Sequence, residues 1–194
     1  MTRRGEKGTL RPRRTKRVCI LAEALRPHSI DATMFEPFVI AELGGTPKAG
    51  VQTTEFVVTL HNVDSAGTRT HLLLVEWQGA HALRGQPPVQ QTVMTEWAAC
   101  GIACAVLWHY TGLRVLMATK RGERFDYWIG NDTAQQGMEI SGTLSEEAGE
   151  MQARHQQKRT QLLSYPSDGG YVVIVGFTRR EIIISYHAAE ESIT

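Results

Sequence analysis

Two carboxylates stand out by their surroundings. Asp126 lies in Arg124-Phe125-Asp126-Tyr127-Trp128-Ile129, and Glu139 lies in Met138-Glu139-Ile140-Ser141-Gly142. A carboxylate among aromatic and aliphatic neighbours is costly to bury without a partner or a metal. The glycine after Ser141 lets other groups approach the backbone closely. Placed on neighbouring strands of one sheet, the two carboxylates can converge on one divalent cation. Mg2+ takes one or two carboxylates and fills its remaining positions with water and substrate phosphate. Mg2+ or Mn2+ held there would activate water and stabilise the charge that develops on a phosphodiester. The plainer roles are a strand-edge carboxylate bonded to a turn for Asp126 and a surface position for Glu139.

Other chemistries lack their residues. The seven histidines (28, 61, 71, 81, 109, 155 and 187) form no HxxxH or HxH pair, so zinc is not expected. Cys19, Cys100 and Cys104 are too few for a paired disulfide framework. The last two are one helical turn apart with no second ligand pair, and all three read as small core residues. No Walker loop, nucleophile elbow or dinucleotide fingerprint occurs. With reduced thiols and no signal peptide, the expected location is cytoplasmic. The longest apolar stretch, residues 98–108, is about half of a membrane span and is interrupted by Gly101.

Positioning the two carboxylates requires a sheet. With 42% hydrophobic residues the chain can build a core. Residues 17–25 (RVCILAEAL) read as a first strand, and 29–43 begin with alternating apolar and polar positions before Gly44-Gly45. Residues 55–61 and 70–77 are rich in β-branched and aliphatic side chains, with a hairpin turn at 64–67 between them. An antiparallel meander of three or four strands over 18–88 follows, ending in the boundary RGQPP at 84–88. Residues 89–111 carry helical spacing, capped by Gly112. Three short strands (114–118, 125–129, 138–140) are separated by turns at 120–123 and 130–137. A polar helix over 145–163 has Ser145 as N-cap and Glu146 and Glu147 in its first turn. Strands at 171–177 and 181–187 complete the chain. The class is α/β (α+β), a mixed sheet with helices on its faces.

The order helix, three strands, helix, strand over 89–177 resembles the PD-(D/E)XK nuclease superfamily, with Asp126 on the second strand and Glu139 on the third. The resemblance implies a restriction-endonuclease-like core over 89–194. It also implies an extra metal-binding role for Glu96, and Gly122 to Asp126 fits a G-x-x-x-D spacing. Gln161-Leu162-Leu163-Ser164-Tyr165 matches the Q-x-x-x-Y pattern of RecB-like members. One residue departs from the pattern: Ser141 stands where the family has lysine, and a hydroxyl supplies no positive charge for the transition state. Arg154, Lys158 and Gln161 share one helical face, so Lys158 is the candidate substitute.

Two readings follow. In the first, the chain is a Mg2+- or Mn2+-dependent nuclease. Asp126, Glu139 and Glu96 hold the metal, with Lys158 catalytic beside the two shared carboxylates. Gln161, Tyr165, Arg154, Lys120 and Arg121 contact nucleic acid. In the second, the fold is a non-catalytic scaffold, part of a bacterial defence or toxin-related system, that binds a protein partner or itself through sheet edges at 55–61 or 181–187. Residues 1–17 hold eight Lys/Arg against Glu6 alone, a local +7 that leaves the rest of the chain at −6 within a total of +1. Such a segment reads as a disordered basic tail, which either serves solubility or sits on nucleic-acid phosphate.

Overall fold

The computed structural model describes residues 16–64, 67–85, 89–131, 135–147, 149–164 and 169–189. The fold is α+β: one eight-stranded mixed sheet and four helices among these residues. In chain order the elements are β1 (Lys16–Ile20), α1 (Leu21–Leu25), α2 (Glu36–Glu42), β2 (Val51–His61), β3 (Thr68–Gln78), α3 (Gln91–Thr111), β4 (Arg114–Ala118), β5 (Tyr127–Gly130), β6 (Gln135–Thr143), α4 (Glu150–Leu163), β7 (Gly170–Gly176) and β8 (Glu181–His187). The strands lie in the order β1-β3-β2-β8-β7-β6-β5-β4.

The N-terminal part departs from the expected meander. Only Lys16–Ile20 of the first stretch is extended. Leu21, Ala24 and Leu25 recur at helical spacing and are buried on α1. Residues 32–35 form a 3-10 turn leading into α2, which has Pro37 in its first turn, where proline is tolerated. What remains is the β2–β3 hairpin with β1 added parallel to β3. The strands expected at the edges, 55–61 and 181–187, are interior: β2 runs parallel to β8, and β8 pairs antiparallel with β7. Ile182 to Ser185 of β8 are buried in a continuous run, as in an interior strand covered on both faces rather than an exposed rim. The edges are β1 and β4. Of the RGQPP boundary, residues 86–88 lie outside the described residues, as do residues 1–15 of the basic tail.

From Gln91 onward the expected order of helix, three strands, helix, strand is present. α3 is buried from Ala98 to Leu107 on all but one side chain, because α1 and α2 pack on one flank and the sheet on the other. It ends at Gly112 in the left-handed conformation (φ 70°), with the Gly112 N–H donating to the Trp108 carbonyl. Cys19 and Cys104 are core residues, while Cys100 is half-buried.

α4 covers the opposite face. It begins at Glu150 with Gly149 (φ 88°) as N-cap, so Ser145 does not cap it. Glu146 lies before the helix and is buried instead, where its carboxylate accepts the Thr178 and Arg179 N–H groups, each at 2.6 Å. Only Met151 and Leu162 of α4 are buried; they join Phe125, Val172, Ile174 and Ile183 in a small second core. No helix among the described residues is long and apolar enough to cross a membrane.

Candidate active site

The site forms where the β5–β6 ladder stops. β5 pairs with β6 from Tyr127, opposite Met138. One residue earlier the Asp126 N–H still donates to the Met138 carbonyl at 2.9 Å. The next ladder position is taken by a side chain: Asp126 Oδ2 accepts the Ile140 N–H at 2.7 Å. Glu139 lies between. Met138 and Ile140 face the α3 core, so by the two-residue period of a strand Glu139 points to α4. Its partner in register is Val172, which belongs to the α4-side core.

Lys158 meets it there. Its Nζ donates to Glu139 Oε2 at 2.5 Å and stands 3.9 Å from Asp126 Oδ2. The Glu139 side chain is 3% exposed, against 41% for Asp126 and 22% for Lys158. Glu139 is therefore not a surface residue, and Asp126 is the more open of the two acids. Burial pushes the Glu139 carboxyl up to about 7, the Asp126 charge adds to the rise, and the Lys158 ammonium opposes it. This is the balance expected of two like charges sharing one cation.

Asp126 and Lys158 border a cavity of about 420 Å3, whose wall also includes Glu96, Trp97, Cys100, Tyr127, Ser141 and Arg154; the buried Glu139 is not on that wall and is reached through Lys158. The Tyr127 hydroxyl donates to Cys100 Sγ at 3.7 Å, and burial raises both groups' pKa. Arg154 is held by Glu150 through Nε (3.1 Å) and Nη2 (2.9 Å), and its Nη1 lies 3.5 Å from Ser141 Oγ. A neighbouring cavity of about 330 Å3 shares Glu96, Gly142 and Arg154 with the first, so the opening continues along the start of α3.

Of the residues expected at the site, the fold brings together Asp126, Glu139, Lys158 and Arg154, with Glu96 on the cavity wall from α3. Glu96 is exposed, and among the described residues no three His, Cys, Asp or Glu side chains stand as a metal-holding group. Two carboxylates that share one lysine, Asp126 on the cavity wall and Glu139 behind it, nevertheless fit the donor set of Mg2+ or Mn2+, which complete their shell from water and substrate. Gln161 is exposed near the end of α4 and does not line the cavity. Lys120 and Arg121 are exposed in the turn beyond Ala118, which itself lines the cavity. Tyr165 lies outside the described residues.

Sequence reasoning missed Trp97, Cys100 and Tyr127 as cavity residues; the adjacency of Tyr127 to Asp126 was the available signal. It also missed a histidine cluster, His61, His155 and His187, because its members lie on three different elements. No protein-family model matches the chain, and neither a curated protein nor a solved structure matches it.

Proposed function

We propose that this protein is a metal-dependent nuclease acting on nucleic-acid phosphodiesters, similar to the PD-(D/E)XK superfamily with its motif lysine moved to the following helix. The observation that carries this reading is the position of Lys158 Nζ, 2.5 Å from Glu139 and 3.9 Å from Asp126. Asp126 and Glu139 would hold Mg2+ or Mn2+, with Glu96 on the wall of the same cavity. Bound there, the cation supplies a Lewis acid and lowers the pKa of water.

The chain's own groups have separable tasks. Glu139 stays buried because Lys158 neutralises it, and an unpaired carboxylate there would take up a proton instead. Lys158 also places a fixed positive charge beside Asp126, the more open acid, where a phosphate oxygen would gain charge. The Ile140 N–H fixes the rotamer of Asp126. Arg154, already oriented by Glu150, offers a planar donor for a neighbouring phosphate along the opening.

The test is cleavage of single- and double-stranded DNA and RNA in Mg2+ or Mn2+, beside an Asp126→Ala/Glu139→Ala double variant and Lys158→Met. The expected outcome is cleavage by the wild type, none by the double variant and a loss of at least about 100-fold in Lys158→Met, the scale of removing one transition-state donor. A folded wild-type protein that cleaves none of these substrates overturns the reading. The scaffold reading would then rest on β1, an edge strand whose Val18 and Ile20 are 49% and 44% exposed.

A further inference from the structure

The sheet face under α4 carries a second polar cluster, adjacent to the carboxylates and separate from them. β2 and β8 pair with His61 opposite Ser185, so these side chains share a face, and His187, two residues on, shares it too. His155 reaches them from α4. Its Nε2 lies 2.7 Å from Ser185 Oγ, and that oxygen lies 2.9 Å from His187 Nε2 and 3.5 Å from the Val172 carbonyl. Ser185 is fully buried. The His155 ring is 5.6 Å from that of His187 and 6.3 Å from that of His61, centroid to centroid.

His155 precedes Lys158 by three residues, less than one helical turn. α4 is anchored by only two buried apolar side chains, Met151 and Leu162, near its two ends. Between them its seating on the sheet depends on polar contacts, and those spanning helix to sheet there include His155 to Ser185 and Lys158 to Glu139.

We propose that His155, fastened through Ser185 to His187, is a positioning residue that sets α4 on the sheet so that the Lys158 ammonium reaches Glu139. The proposal rests on the nuclease reading for its activity readout alone. The network has one hydroxyl proton to share, so with neutral rings Ser185 accepts from one imidazole and donates to the other or to Val172. Charging both rings would place two cations 5.6 Å apart. The other titratable groups facing them are cationic when charged as well: His61 from β2 and Arg159 from α4 itself. β7 contributes Val172, and on β6 the nearby acid, Glu139, is engaged by Lys158. Burial, then this neighbouring charge, holds both histidines below the usual imidazole range, His187 at about 4. Their neutral forms therefore hold α4 down above about pH 6.5, the ordinary imidazole value, and the hold is lost as pH falls towards about 4.

The experiment follows the Glu139 side-chain carboxyl by 13C NMR titration in the full chain, for wild type, His155→Leu, His155→Gln and Ser185→Ala, with the cleavage assay run in parallel. With His155→Leu and Ser185→Ala, the Glu139 titration should move up by about one pH unit or more as Lys158 drifts away, and kcat should fall at least about tenfold with KM little changed. His155→Gln, which keeps a donor but cannot titrate, should retain both the Glu139 titration and the activity, leaving His187 alone to set the acid limb of the pH profile. If His155→Leu does not fold, Ser185→Ala decides, since it keeps both rings and removes only the bridging oxygen. A Glu139 titration unchanged in the folded variants overturns the positioning role. Absence of cleavage by the wild type would sink the nuclease reading instead, and the NMR shift would still decide the role of His155.

Discussion

Glu139 is a buried acid whose proton is held by its surroundings to about pH 7, first through desolvation and then through the charge of Asp126. In the unfolded chain a glutamate releases its proton near about 4.3. Across that window the folded state binds the extra proton, so the group's contribution to stability is complete below about pH 4.3 and is lost as pH rises to about 7. The whole effect is at most about 4 kcal/mol. Glu139→Gln removes the titration, and the expected outcome is a thermal midpoint that falls less than the wild type's between about pH 4.5 and 7. Unfolding scans against pH measure this, and an unchanged slope would assign the linkage to another group.

The element that matters most is α4, a polar helix laid over a sheet face with little apolar glue. Leu162 is fully buried against Phe125, Val172 and Ile174. Truncating it to alanine deletes packed methyl groups and leaves a cavity beside Gly137, whose added Cβ would meet Leu162 Cδ1 at 2.8 Å. Leu162→Ala should cost about 2–4 kcal/mol in denaturant unfolding. Because Lys158 rides on the same helix, it should also lower activity more than a core truncation on the α3 side of equal cost, such as Ile102→Ala. Equal activity losses in the two variants would mean that α4 is held independently of its apolar anchor. The sequence assigned this helix correctly in type and made Lys158 the candidate to face the carboxylates. Its start was misjudged because Ser145 and Glu146 resemble a cap, whereas the chain uses Glu146 to bind two turn N–H groups before Gly149 begins the helix.

For the whole molecule, charge is divided between a basic N-terminal segment and an acidic body. On the nuclease reading, an acidic body would repel nucleic acid except where Lys158, Arg154 or a bound cation offset it, so the six Lys/Arg among residues 1–15 would be the main source of general phosphate attraction. A chain starting at Lys16 should bind duplex DNA more weakly. Its slope of log affinity against log salt should also be shallower, by about 0.9 for each phosphate contact removed. Fluorescence anisotropy over a salt series measures both quantities, and equal slopes for the two chains would confine the tail to a role in solubility.

By itself the sequence determined the order of the elements from Gln91 onward and the Gly112 stop, and it named Asp126, Glu139 and Lys158 as candidates, because these are local matters of hydrophobic period, turn chemistry and helical spacing. The N-terminal strands were harder to read. LAEAL has the apolar content of a strand, and burial against α3 is what makes it a helix. Only the tertiary structure decided which strands are interior, since parallel pairing of β2 with β8 joins residues 120 or more positions apart and leaves no local signal. The same register put His61 beside Ser185 and brought α4 down with His155. It was also the end of the β5–β6 ladder that turned Asp126 onto the Ile140 N–H and seated it beside Lys158, a geometry that no residue spacing encodes.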